Sequence, residues 1–129
     1  MAHPDLPKVI ASYLAAYQAM DVAGLLACLT DDIHFENLSN HAGQVSLDGL
    51  DHFKEIATQS AHAFTSRTQT VLDVVADPSQ GRYAVQIEFR GVLASDMGED
   101  LQAGTEIAMQ GISLMTVTGD KISRIIDFS

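Results

Sequence analysis

The spacing of hydrophobic residues changes near Arg67, and this change limits the folds that the chain can adopt. Before it, apolar side chains recur at steps of three and four residues, the pattern of an amphipathic helix. After it, apolar and polar residues alternate, and β-branched and aromatic residues predominate, as in half-buried strands. Helices followed by strands indicate an α+β fold, with the helices packed on a curved, mostly antiparallel sheet.

Three helices and one short strand are predicted before the change. A cap at Asp5 precedes the first helix, whose inner face is Leu6, Val9, Ile10, Tyr13, Leu14 and Tyr17. Asp21 caps the second helix, which carries Leu25, Leu26 and Leu29. A strand over 33–37 then leads into a polar loop with Gly43. Asp48 is predicted to cap the third helix, whose inner face is Leu50, Phe53, Ile56 or Ala57, Ser60 and Phe64.

Four strands that form an antiparallel meander are predicted after the change. Three of them cover residues 68–76, 105–117 and 121–128, with turn-forming residues between them. The remaining strand alternates an inner face of Tyr83, Val85, Ile87 and Phe89 with outward Gln86, Glu88 and Arg90. A curved sheet closed by helices on its concave side encloses a cavity, so the pattern predicts an internal pocket for a small ligand.

Size and charge exclude several classes of protein. A chain of 129 residues forms one domain, 1–129, and no apolar stretch is long enough to span a membrane. The net charge of −10 opposes binding to nucleic acid or to anionic lipid. The N-terminal residues lack the pattern of a signal peptide, so a cytoplasmic location is expected. Cys28 lies in an apolar run and is predicted to be a buried, unreactive thiol.

Histidines and acids near residue 34 superficially suggest a metal site. The residues concerned are Asp31, Asp32, His34, Glu36 and His41. Their spacing does not bring three ligands together, so a solvated sheet edge is the preferred interpretation. His52 and His62 are predicted to be surface residues, and neither a metal nor a cofactor is expected.

Two segments, YLAAYQAMDVAGLLACLTDDIHFEN (13–37) and GDKISRIIDFS (119–129), together with the element order, resemble the nuclear-transport-factor-2-like superfamily and its SnoaL-like proteins. The resemblance covers nearly the whole chain and implies the cone fold. The superfamily includes ketosteroid isomerases, polyketide cyclases, limonene epoxide hydrolase, dehydratases and noncatalytic dimerisation modules. The resemblance therefore implies a fold more firmly than a reaction.

The first 37 residues are most similar to the ketosteroid isomerases. The resemblance assigns Tyr13 to the tyrosine that donates to the substrate oxygen and Asn37 to the position of the aspartate base. It places Gly111 near the second oxyanion donor. A carboxamide does not accept a proton at neutral pH, so the isomerase mechanism is not expected here.

The ending RIIDFS resembles limonene epoxide hydrolase and many SnoaL-like proteins, which carry an aspartate before an aromatic residue on the last strand. The resemblance implies that Asp127 is a base or water activator, provided that it faces the pocket with Ser123 and Ile125. The apolar set Ile122, Ile126 and Phe128 leaves its direction open, and an exposed strand-end carboxylate is the alternative. The hydrolase also needs an inward Arg and Asp, whereas Glu88 and Arg90 are predicted to face outward.

The expected function is binding of a small hydrophobic or carbonyl-bearing metabolite, with proton transfer that needs no cofactor. Asp127 would be the base, Tyr13 a donor to the oxyanion and Asn37 an orienting group. The predicted ligand-binding residues, which could instead be ordinary core residues, are Tyr17, Phe35, Phe53, Phe89, Met109, Gly111 and Met115. The rival is a noncatalytic ligand-binding or dimerisation module.

A homodimer is expected because one face of the predicted sheet has no helix left to cover it. That outer face combines polar residues with apolar ones, namely Gln86, Glu88, Arg90, Ala108, Gln110, Ile112 and Leu114. Apolar surface of this kind marks protein contacts, which in most soluble oligomers join copies of one chain.

Overall fold

The computed structural model describes residues 6–38 and 44–128. Within these ranges the chain forms helices α1 (Lys8–Gln18), α2 (Val22–Ala27) and α3 (Leu50–His62). The strands are β1 (Leu29–Asn37), β2 (Val45–Asp48), β3 (Phe64–Asp77), β4 (Arg82–Leu93), β5 (Glu106–Thr118) and β6 (Lys121–Phe128). The predicted cap at Asp5, the loop at Gly43 and His41 lie outside the described residues.

The strands form one curved, open sheet in the order β2-β1-β6-β5-β4-β3. β3 to β6 form the predicted antiparallel meander, and β1 pairs with β6 in parallel and with β2 antiparallel. The predicted α+β class is confirmed. The helices do not form an uninterrupted N-terminal group, however, because β1 and β2 precede α3.

The sequence pattern missed β2, which was assigned to a polar loop. Four residues are too few to establish an alternating pattern, and pairing with β1 is what makes this segment a strand. The inward residues Val45 and Leu47 pack against the core, and Leu47 lies opposite Phe35.

Of the two internal helix caps that were predicted, one is confirmed and one is wrong. The Gly24 N–H donates to the Asp21 carboxylate over 3.0 Å at the start of α2. Asp48 does not cap α3, because it belongs to β2 and the helix begins after Gly49, whose φ of 92° suits glycine. Phe64 was predicted on α3 and instead begins β3.

Two of the bulges in the sheet bend it and change which residues face inward. Leu72 is an extra residue between the pairs Val71–Ile87 and Asp73–Gln86. Ser123 is an extra residue between Val117–Ile122 and Thr116–Arg124. Such insertions increase strand twist and bending. The bulge on β6 turns both Ile122 and Ile125 into the core, although they are three residues apart.

The core lies between the helices and the inner face of the sheet. The helices contribute Ile10, Tyr13, Leu14, Leu25, Phe53 and Ala57, and the sheet contributes Ile33, Phe35, Val85, Ile87, Met115, Ile122 and Ile125. Cys28 is buried as predicted, and burial raises the pKa of its thiol. No helix among the described residues is long and apolar enough to cross a membrane.

Candidate functional site

Asp127 lies on β6 between β1 and β5, on the same face as buried Ile125. Its neighbour on β1 is Asn37 and its neighbour on β5 is Ser113. The Ser113 hydroxyl donates a short hydrogen bond to Asp127 Oδ1. The Leu38 N–H donates to the backbone oxygen of Asp127 over 2.8 Å, which continues the strand pairing past Asn37. The carboxylate is therefore fixed at the point where three strands meet.

Asp127 is half-buried overall, but its carboxyl group lies deep enough for desolvation to act on it. Burial raises its pKa from 3.8 to about 6, and the Ser113 hydrogen bond opposes the rise. A carboxyl with this pKa holds its proton weakly near neutral pH and regains it under mild acidity. Such a group is suited to accept a proton from a ligand and return it.

An inner cavity of about 190 Å³ lies between the helices and the sheet at Asp127. Three residues that the sequence placed in the catalytic set, Tyr13, Asn37 and Asp127, line it together. The rest of its wall is Tyr17, Leu25, Phe35, Phe53, Ile56, Ala57, Ser60 and Arg67. The structure thus brings residues from both ends of the chain around one space.

An outer cavity of about 230 Å³ shares Tyr17, Asn37 and Asp127 with the inner one. The remainder of its wall is Phe64, Gln69, Ile87, Phe89, Met109, Gly111, Ile112, Ser113 and Phe128. Asp127 stands where the two cavities adjoin. Met115, predicted as a ligand-binding residue, lines neither cavity, because it pairs with Ile125 deeper in the core.

Aromatic rings form much of the cavity walls. Phe35 and Phe53 meet edge to face with ring centres 5.5 Å apart. Phe89 contacts Tyr17 and Phe64 in similar geometry, at 6.4 and 5.3 Å. Edge-to-face contacts favour defined ring orientations, so these rings give the cavity walls their apolar part.

Both tyrosines of α1 keep their protons at neutral pH. Burial raises the pKa of Tyr13 well above 10, and the Asp127 charge raises it further while Arg67 lowers it. Burial also raises the pKa of Tyr17, again with Arg67 acting in the opposite direction. The Tyr13 hydroxyl is therefore a hydrogen-bond donor within the electrostatic influence of a negative and a positive group.

Arg67 is a wall residue that the sequence interpretation missed. It lies on the inner face of β3 opposite Gly91, and only 3% of its surface is exposed. Strand alternation is the signal that was missed. Arg67 lies two residues before Gln69, which faces a cavity, and residues two apart on a strand share a face. The prediction began that strand at residue 68, so the inward position of Arg67 was not recognised.

Two residues on the outer face of the sheet, Arg90 and His34, have partners of opposite charge. Arg90 pairs with Glu88 and Glu106 at 3.1 and 3.0 Å, which confirms the predicted outward direction of Glu88 and Arg90. The inward Arg and Asp of the epoxide-hydrolase arrangement are absent from β4.

His34 lies between Glu36 and Asp48, at 2.7 Å from each. In the described ranges, no three His, Cys, Asp or Glu side chains converge as metal ligands do.

The SnoaL-like domain family matches residues 10–125. The chain belongs to this family. No curated protein matches it significantly. The match confirms the SnoaL-like resemblance that was predicted from segments 13–37 and 119–129.

Solved structures share the SnoaL-like fold at low sequence identity. A candidate polyketide cyclase from Xanthomonas campestris has a TM-score of 0.79 at 18% identity, covering 94% of this chain and 87% of that one. A Catenulispora acidiphila protein with a ketosteroid isomerase-like fold, in complex with trimethylamine, has a TM-score of 0.78 at 13% identity, covering 95% and 85%. An epoxide hydrolase-like protein from M. tuberculosis has a TM-score of 0.71 at 13% identity, covering 94% and 79%. At these identities the likeness shows the fold alone.

Proposed function

We propose that this SnoaL-like protein binds a small hydrophobic or carbonyl-bearing molecule in an internal pocket of a cone and transfers a proton on it without a cofactor. The observation that carries the proposal is the placement of Asp127, which lines both cavities, accepts from Ser113 and has a pKa raised to about 6. A general base is most effective when its pKa lies near the working pH.

The inner and outer cavities would act as one pocket. Each alone is smaller than most ligand sites, but together they fall within the range of about 300–1000 Å³ that is usual for small molecules. Tyr17, Phe35, Phe53, Phe89, Met109 and Gly111 would form its apolar wall. A flat or ring-shaped ligand would fit between the aromatic side chains.

The proposed step is removal of a proton from a carbon next to a carbonyl group. The ionised Asp127 takes the proton, and the electron pair of the broken C–H bond moves toward the carbonyl oxygen, which becomes an enolate oxygen. Tyr13 would donate a hydrogen bond to that oxygen, since its raised pKa keeps it protonated. Asn37, the strand neighbour of Asp127, would orient the ligand through its amide. Return of the proton to another atom completes an isomerisation or cyclisation.

Deuterium exchange at the α-carbons of cyclohexanone and 1-indanone in D2O, followed by proton NMR at neutral pH, tests this chemistry. We expect the wild-type protein to accelerate exchange and Asp127→Asn to lose about 100-fold or more of that acceleration, as is usual for a general base. Tyr13→Phe should lose about 10-fold or more through the missing donor.

A matched control is Asp32→Asn, which makes the same chemical change at an exposed position of β1. It should leave exchange unchanged. Equal exchange by the wild type and Asp127→Asn would rule out Asp127 as the base. Binding of both ketones without any exchange would instead favour the noncatalytic module that is the alternative function.

The second proposal is a homodimer formed by the outer face of the sheet. An apolar row crosses four strands there, with Ile126 paired to Leu114, Leu114 to Ala84 and Ala84 to Val75. Val75 is 68% exposed and Leu114 is 41% exposed. Phe128 and Ile112 are paired beside this row and also belong to the wall of the outer cavity. A row of this length on an uncovered sheet face favours contact with a second copy.

The cytoplasmic location expected from the sequence stays a prediction. The structural neighbours named as a candidate polyketide cyclase and an LEH-like epoxide hydrolase support enzyme chemistry on this scaffold. The neighbour in complex with trimethylamine supports small-molecule binding by the fold. None of these names identifies a substrate for this chain, which is why the proposed test uses simple ketones.

A further inference from the structure

Arg67 is held in the wall of the inner cavity by three contacts. Its Nε–H donates to the backbone oxygen of Tyr17 over 2.8 Å, and Nη1 donates to the Ser60 hydroxyl over 3.0 Å. Its guanidinium carbon lies 3.6 Å from the centre of the Tyr17 ring, in a cation–π arrangement. Both hydrogen bonds are to neutral oxygens. These contacts fix the plane of the guanidinium group without neutralising its charge.

The remaining nitrogen of Arg67, Nη2, is buried and has no hydrogen-bond partner among the described residues. Nor do the ion pairs found in those residues include Arg67. A guanidinium group stays charged in proteins, and a buried charge without a counter-charge lowers the stability of the folded state. The chain has 17 acidic and 7 basic residues, so carboxylates are more abundant than cations. The lack of a carboxylate partner for Arg67 in the described residues is therefore not explained by composition.

We infer that Arg67 is the binding site for the anionic group of the ligand, and that the pocket takes small carboxylates that carry an apolar or keto-bearing body. A carboxylate oxygen in the inner cavity would accept from Nη2 and supply the missing counter-charge. Tyr17 and Ser60, which position the guanidinium group, would define the plane in which the carboxylate lies.

The anion site and Asp127 lie on the wall of the same inner cavity, and no ion pair joins them within the described residues. A ligand anchored by its carboxylate at Arg67 would present its body to Asp127. The inference rests on the proposed function in using the same pocket, and it adds the chemical class of the ligand. The acidic chain as a whole repels anions, so recognition would depend on the buried cation Arg67.

Benzoate and benzamide form a matched pair of probes, because they share a ring and differ mainly in charge. Isothermal titration calorimetry at neutral pH should show wild-type protein binding benzoate about 10- to 100-fold more tightly than benzamide, the range of a charge-assisted hydrogen bond. Arg67→Met should remove this preference and leave benzamide binding nearly unchanged. Arg124→Met, which removes an exposed arginine from β6, should keep the preference.

Arg67→Lys keeps the charge and guards against a folding defect in Arg67→Met, and it should retain part of the preference. Equal affinity for the two probes, a preference that survives Arg67→Met, or no binding of either probe at millimolar concentration would overturn the inference. The proposed base is judged separately, by ketone exchange in Asp127→Asn. If only the preference for benzoate is absent, the proposed proton transfer by Asp127 is still supported. If the protein prefers benzoate but does not accelerate ketone exchange, the anion site at Arg67 is still supported.

Discussion

Two charged residues on the outer face of the sheet, Arg90 and His34, have charged partners among the described residues, whereas two on the inner face, Arg67 and Asp127, do not. On the outer face, Arg90 has two carboxylate partners and His34 lies between two acids. On the inner face, Arg67 and Asp127 are each bonded to a neutral serine hydroxyl and neither belongs to an ion pair in the described residues. Both faces belong to the same strands, so the difference arises from what covers them.

This difference indicates that the inner face is less stable than it could be because it carries a functional site. Exposed ion pairs contribute little, about 0–1 kcal/mol each, and their loss is easily tolerated. Buried groups that lack a counter-charge lower stability, so they persist where another molecule can supply the missing partner. The inner face therefore carries the functional proposals, and the outer face carries the proposal of self-association.

The largest expected effect is on the pH dependence of stability through Asp127. Its pKa is raised in the folded state, so folded protein holds the proton that unfolded protein has already lost, and stability falls as pH rises from about 4 to about 6. A shift of this size corresponds to roughly 3 kcal/mol. Asp127→Asn should thus be more stable than wild type by up to roughly this amount near pH 8, and nearly equal to it near pH 4.

Urea unfolding at several pH values measures this difference directly. Asp32→Asn is again the matched control, because an exposed carboxylate should show no comparable pH dependence. A constant stability difference between wild type and Asp127→Asn from pH 4 to pH 8 would contradict the buried state of this carboxyl. The contrast between the two faces would then lose its main support.

The next effect concerns the outer face. Leu114→Lys places a charge at the centre of the apolar row, and twofold symmetry would bring two such charges into one interface. We expect self-association to weaken by about 100-fold or more, measured by sedimentation velocity over a range of concentrations. Ser95→Lys adds the same charge in an exposed loop and should not weaken it. A wild-type protein that is monomeric at high concentration would contradict the proposed dimer.

The smallest effect concerns His34. Hydrogen bonds that His34 donates to Glu36 and then to Asp48 raise its pKa above 6.5. The stabilisation of the folded state by this pairing is therefore complete below pH 6.5 and disappears as pH rises through the raised pKa. Because both ion pairs of His34 are partly exposed, His34→Gln should lower the free energy of unfolding by at most about 1 kcal/mol near pH 5.5 and by nearly nothing near pH 9. Thermal unfolding at the two pH values checks this. A loss of several kcal/mol would show that the outer face is not governed by weak, screened pairs.

The prediction of which side chains face inward was more accurate for the regular helices and strands than for the site. The alternation of Val85 and Ile87 with outward Glu88 and Arg90 was visible in the sequence because it depends only on the two-residue repeat of a strand. The inward face of Tyr13 on α1 followed equally from helical spacing. Each of these inferences needs only residues within a few positions of one another.

The direction of Asp127 could not be predicted in this way. The bulge at Ser123 breaks the two-residue repeat of β6, so that Ile122 and Ile125 are both buried and counting from Ile122 gives the wrong face for Asp127. Ser113 was missed as its partner because the register between β5 and β6 is a long-range property. Arg67 was missed because the start of β3 was placed after it.

The sequence by itself determined the α+β class, the meander and the group of residues able to face inward, since hydrophobic periodicity is a local property. Tertiary structure decided that Asn37 and Asp127 are neighbours on parallel strands, that Asp127 faces inward, and that Arg67 is buried without an ion pair. These features depend on a bulge, on strand register and on contacts between residues up to 90 positions apart in the chain. Packing of the whole chain sets them, and no local pattern encodes them.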